Sequence, residues 1–153
     1  MEKYYLAYGS NLNIRQMKSR CPNAKLLGTA VINDYELLFK GSGSGSYLTI
    51  EKKAGSKVPV AVWKVTASDI ASLDMYEGYP TFYYKKDMPI VYTGIKSGRQ
   101  YKQNAFVYIM HEERKLGRPS EYYMNTCKEG YRAFGFDAAY LEAAYKKSSA
   151  SSK

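Results

Sequence analysis

A carboxylate on the apolar face of a short helix is the first chemically suggestive feature of this 153-residue sequence. A helix is expected to open at Thr66, with Asp69 at its third position, and to close at Gly78 and Pro80. Ile70 and Leu73 mark one face at spacing i, i+3, and Glu77 takes position i+7 on the same face. In the last turn the negative end of the helix dipole acts with desolvation. Both push a carboxyl pKa up, towards the range of a general base near neutral pH. The competing reading is a frayed helix end that leaves Glu77 in water.

The second feature is Tyr8-Gly9-Ser10-Asn11-Leu12, which follows a strand-like run at residues 3–7. A strand that enters a glycine turn ahead of a helix exposes successive backbone N–H groups, suited to a carboxylate or an oxyanion. Gly9 would permit positive φ and the close approach of a ligand. An ordinary strand-to-helix turn is the alternative. Other chemistries find little support. His111 is the single histidine and has no partners at metal-ligand spacing; Cys21 and Cys127 form no CxxC pair and read as core thiols. The run Gly41-Ser42-Gly43-Ser44-Gly45-Ser46 lacks the lysine of a phosphate-binding loop and reads as a flexible connection.

These residues need a scaffold. Strands are expected at 3–7, 25–32, 35–39, 47–51, 58–65, 83–92 and 99–110, with 25–32 and 35–39 joined across Asn33-Asp34. The 47–51 and 58–65 segments would form a hairpin around Ala54-Gly55-Ser56, and Pro59 suggests an edge or a strand start. Helices are expected after Asn13, where Gln16 gives a capping-box variant, over 120–132 following Pro119, and over 138–145 with Asp137 as its cap. The pattern is α+β, with a curled or closed sheet. Residues 1–146 read as one domain and the Lys/Ser-rich stretch 147–153 as a disordered tail.

Apolar runs of about six residues cannot span a bilayer, and no leader pattern opens the chain, so no membrane association and a cytoplasmic location are expected. The net charge is +9, but residues 1–76 contribute +4 and 77–153 contribute +5. This even spread favours a solvated basic surface over specific nucleic-acid binding. Seventeen tyrosines, each an apolar ring with a hydroxyl, suit the wall of a polar-ligand pocket.

Four segments in order, residues 5–12 (YLAYGSNL), 60–64 (VAVWK), 73–80 (LDMYEGYP) and 119–123 (PSEYY), resemble the γ-glutamylcyclotransferase superfamily. That superfamily includes AIG2-like proteins and an antibiotic-biosynthesis cyclotransferase. The resemblance implies a small mixed β-barrel with flanking helices and release of 5-oxoproline from a γ-glutamyl amino acid or amide. It implies neither metal nor cofactor. Glu77 matches the catalytic glutamate, and Tyr5, Leu6, Ala7, Tyr8, Gly9, Ser10 and Asn11 match the substrate-binding loop. Tyr84, Tyr108 and Tyr123 match pocket positions, Tyr122 competing with Tyr123. The amine-specific branch tends to have YGTL where this chain has YGSN. The implied partner is a small γ-glutamyl substrate, and a homodimer is left open. Two alternatives stand beside this reading: removal of a γ-glutamyl cap from a biosynthetic intermediate, and an idle protein that binds a small acidic metabolite or partner.

Overall fold

The computed structural model describes residues 3–42 and 45–150. Five strands close into a barrel: β1 (Lys3–Ala7), β2 (Lys25–Ser42), β3 (Gly45–Val65), β4 (Tyr83–Gly94) and β5 (Gln100–Met110). β1 lies between β3 (antiparallel) and β5 (parallel), β5 pairs with β4, and β4 pairs with β2. β2 pairs with β3 along almost its whole length, which completes the ring. A two-residue strand, β6 (Lys115–Leu116), adds to the end of β2. Four helices flank the barrel: α1 (Ile14–Arg20), α2 (Ala67–Glu77), α3 (Glu121–Phe134) and α4 (Ala139–Ala150). Among the described residues, no helix is long and apolar enough to cross a membrane.

β2 and β3 correct the expected strand pattern. Residues 25–32 and 35–39 are halves of one strand, and 47–51 and 58–65 belong to another, so they form no hairpin with each other. The turn-forming residues bend the ribbon instead of reversing it. Pairing slips from Asn33↔Lys57 to Tyr35↔Lys52, with Asp34 at φ 63° and Gly55 at φ 85°. The Asp34 carboxylate accepts the Gly55 N–H at 3.0 Å and ties the two bulges together. Gly41 and Ser42 pair with Ser46 and Gly45, so the ends of the Gly/Ser run belong to the ladder; Gly43 and Ser44 lie outside the described residues. Pro59 stands beyond the last β1 pair, Ala7↔Ala61, where it need donate to no second neighbour.

The helix caps follow the sequence closely. Thr66 and Asp69 form a complete capping box on α2, and Gly78, at φ 66°, ends the helix in the left-handed conformation open to glycine. Asn13 accepts from the Gln16 N–H, but the Gln16 side chain does not return the bond to Asn13. Residues 147–150 correct the disordered-tail expectation. α4 continues to Ala150, with Lys147 ion-paired to Glu36 and Ser148 buried; residues 151–153 lie outside the described residues.

The topology gathers one end of every strand. β1 ends where β5 ends, because the two run parallel. β3 and β4, antiparallel to them, begin there, and the last part of β2 reaches it at Phe39 opposite Leu48. The barrel interior is filled by Leu6, Phe39, Ile50, Val62 and Ile109, each nearly or fully buried.

Candidate active site

A cavity of about 220 Å³ occupies that end. β1 contributes Tyr5 and Leu6 and runs directly into Tyr8, Gly9, Ser10 and Asn11, all of which line the cavity. Ser10–Leu12 form one 3₁₀ turn whose first internal bond runs from Leu12 N–H to Gly9 O at 3.0 Å. The N–H groups of Ser10 and Asn11 therefore have no partner within the turn. Gly9 has φ −123°, so the expected left-handed conformation is not used; the close approach is. A Cβ at Gly9 would sit 3.4 Å from both Tyr123 Oη and Leu48 Cβ, two residues of the cavity wall. α3 braces the loop from outside. Asn13 Nδ2 donates to Glu129 Oε2 at 2.7 Å, and Gly130 lets the helix lie against Leu12 and Asn13, whose backbone a Cβ would meet at 2.7 Å.

Glu77 enters the cavity from the last turn of α2, with Leu73 below it fully buried. Among the described residues its carboxyl has no hydrogen-bond partner. Burial pushes the carboxyl from its ordinary 4.5 up to about 7, and the Arg20 guanidinium pulls the other way. Titratable groups that face it include Tyr5 of β1, Tyr8 just after it, Tyr83 of β4, Tyr108 of β5 and Tyr123 of α3. Burial holds each of these phenols above its usual range, so all five remain protonated. Cys21 and Cys127 are free and buried, and burial pushes each thiol up to about 12.

Nine of the residues proposed from sequence line the cavity: Glu77, Tyr108 and Tyr123, together with Tyr5, Leu6 and the four residues Tyr8 to Asn11. Ala7 is buried but does not line it. Tyr84 is a correction. Its neighbour Tyr83 faces the cavity, and strand alternation turns Tyr84 the other way, where its hydroxyl donates to Glu112 Oε2 at 2.5 Å. On α3, Tyr123 faces inward while Tyr122 is 78% exposed. Sequence reasoning missed Phe82 and, beginning β4, Tyr83, as well as Tyr47 and Leu48 near the start of β3 and Tyr76 on α2. The abundance of tyrosine was the available signal, but only the barrel closure shows which ones converge.

Comparison with known proteins bears on this geometry. Residues 5–126 match the family described as gamma-glutamyl cyclotransferase, AIG2-like. A bovine gamma-glutamylcyclotransferase is 36% identical over 87 residues, covering 52% of this chain and 46% of that protein; the human protein is 34% identical over the same extent. The chain thus spans about half the length of these two curated relatives. A solved structure named gamma-glutamyl cyclotransferase superposes with a TM-score of 0.78 at 26% identity, covering 94% of this chain and 86% of that one.

Proposed function

The chain belongs to the gamma-glutamyl cyclotransferase, AIG2-like family, and from that premise we propose that it closes a γ-glutamyl amide or amino acid on itself to release 5-oxoproline. The observation that carries this reading is Glu77: a carboxyl without a hydrogen-bond partner among the described residues, raised to about 7, on the wall of a small cavity.

The reaction is intramolecular. The α-amine forms a bond to the γ-carbonyl carbon, and the carbon–nitrogen bond of the amide breaks. Two protons leave the α-ammonium as it becomes the lactam N–H, and two arrive on the departing nitrogen as it becomes an ammonium. Glu77 takes a proton as base and returns it as acid, for which a pKa near 7 is well matched at neutral pH. The cavity of about 220 Å³ is smaller than a drug-sized pocket and suits a single amino-acid-sized group. Held bent inside it, the substrate gains much of its rate from proximity. The Ser10 and Asn11 N–H groups offer donors for the α-carboxylate or the tetrahedral oxyanion.

The test is a panel of γ-glutamyl amides and amino acids scored by 5-oxoproline release, with Glu77→Gln beside the wild type. Release from at least one substrate, reduced about 10²-fold or more in the variant, is the expected outcome. A folded wild type that processes none of them, or a variant of near-normal activity, contradicts the reading.

A further inference from the structure

Counting hydroxyl protons separates five of the seven cavity-lining tyrosines into two groups. Three have donated theirs: Tyr8 to Tyr108 O at 2.6 Å, Tyr83 to Leu48 O at 2.7 Å, and Tyr108 to Asp74 Oδ1 at 2.6 Å. Two others accept instead. Tyr5 Oη receives Asn11 Nδ2 at 2.9 Å, and Tyr123 Oη receives the Leu48 N–H at 3.1 Å. A backbone N–H can only donate, so Tyr123 is fixed as acceptor by the chain itself. Tyr5 is different, because an amide side chain can present either end.

Arg20, the last residue of α1, decides which end. Its Nη1 stands 2.5 Å from Asn11 Oδ1, and a guanidinium has no acceptor. The Asn11 oxygen must therefore face Arg20 and the Asn11 nitrogen must face Tyr5. The Tyr5 oxygen is then occupied on that side by a donor, which leaves its own proton free. Arg20 is itself firmly held. Its guanidinium stacks 3.1 Å from the centroid of the Tyr76 ring, and the donors and acceptors around Gln16 assign the amide oxygen to Nη2 at 2.8 Å and the amide nitrogen to Ser10 O at 3.2 Å.

We propose that Arg20 is a positioning residue that, through Asn11, fixes the Tyr5 hydroxyl as a hydrogen-bond donor to the substrate's γ-carbonyl oxygen as that oxygen gains charge. The proposal rests on the cyclotransferase reading and adds to it a donor and the device that orients it. Arg20 does not touch the substrate. It sets the direction of a hydrogen-bond chain, and without it the Asn11 amide is free to turn over and draw the Tyr5 proton away from the cavity.

The experiment is a double-mutant cycle of Arg20→Gln and Tyr5→Phe, with kcat, KM and the pH profile measured for each protein and folding followed by thermal melting. Tyr5→Phe is expected to lower kcat by about 10- to 10²-fold, somewhat less than the loss of an amide donor from an oxyanion hole. Arg20→Gln should cost about tenfold alone and less than about twofold when Tyr5 is already Phe. Equal losses in both backgrounds overturn the proposal; if the acid limb of the profile also moves upward, Arg20 acts only through its charge on Glu77. Asn11→Asp keeps the contact to Arg20 but gives Tyr5 an acceptor, so it should match Tyr5→Phe while melting near the wild type. Full activity in folded Asn11→Asp refutes the chain of bonds. Binding of 5-oxoproline by calorimetry, through the same cycle, separates the two levels of inference. A wild type that binds it with the expected non-additivity but turns nothing over refutes the cyclotransferase reading alone, and a wild type that does not bind it refutes this proposal as well.

Discussion

Two carboxylates three residues apart on α2 meet opposite fates. Asp74 is fully engaged: Tyr108 donates to Oδ1 at 2.6 Å, and Lys85 Nζ lies 2.8 Å from the same oxygen and 3.1 Å from the other. Glu77, one turn on, is walled in by tyrosines and has no hydrogen-bond partner among the described residues; burial raises it to about 7. One carboxylate holds a cavity tyrosine in place, and the other is left available at a cost in stability. On the proposed cyclotransferase reading, the contrast is that between a residue serving the fold and a residue serving chemistry.

Substitution should separate these roles in opposite directions. Glu77→Gln, the largest expected effect on activity, should also stabilise the protein. The folded-state pKa of Glu77 lies above its unfolded value of 4.5, so the native state binds the extra proton and wild-type stability rises as pH falls through about 7. Glu77→Gln should therefore melt higher than wild type at pH 8, with the gap closing towards pH 5; a variant that melts lower at pH 8 would sink the desolvation account. Asp74→Asn should do the reverse. It removes a charge-assisted hydrogen bond and a half-buried ion pair, so urea unfolding should show a loss of about 1–3 kcal/mol. Activity should fall only about tenfold, through a loosened Tyr108, with the acid limb unmoved. Loss of activity as deep as that of Glu77→Gln would place Asp74 in the chemistry.

The smallest effect concerns the loop. A Cβ at Gly9 reaches ordinary contact distance from Leu48 and Tyr123 without a backbone clash, and φ −123° is open to alanine. Gly9→Ala should melt within about 1–2 °C of wild type, since it falls among substitutions with little effect on stability. KM should rise a few-fold because the added methyl narrows the cavity. Unchanged kinetics would show that the substrate does not approach the loop there.

Local signals were legible in the sequence where the physics is local. The Thr66–Asp69 box, the Gly78 stop and the i, i+3, i+7 face placed Glu77 correctly, and the strand-to-turn break at Tyr8-Gly9 located the loop. The strand pattern pointed to a curled or closed sheet, while the named barrel and the pocket tyrosines came from the family resemblance. What failed depends on partners distant in sequence. Asn33-Asp34 and Ala54-Gly55-Ser56 look like turns and become bulges only because β2 and β3 pair across them. Tyr84 fails by one residue, the pleat of β4 turning Tyr83 inward instead. The end of α4 was lost because Lys147 reads as tail until Glu36 of β2 stands opposite it.

The central claim is that an ionised Glu77 with a pKa near 7 takes the first proton. The most direct measurement is kcat/KM for 5-oxoproline release as a function of pH between 4 and 9. The carboxyl must be ionised to act as base, so the rate should fall about tenfold per unit of pH below an apparent pKa of about 7. A rate that stays level down to the ordinary carboxylate range near 4.5 would contradict the account.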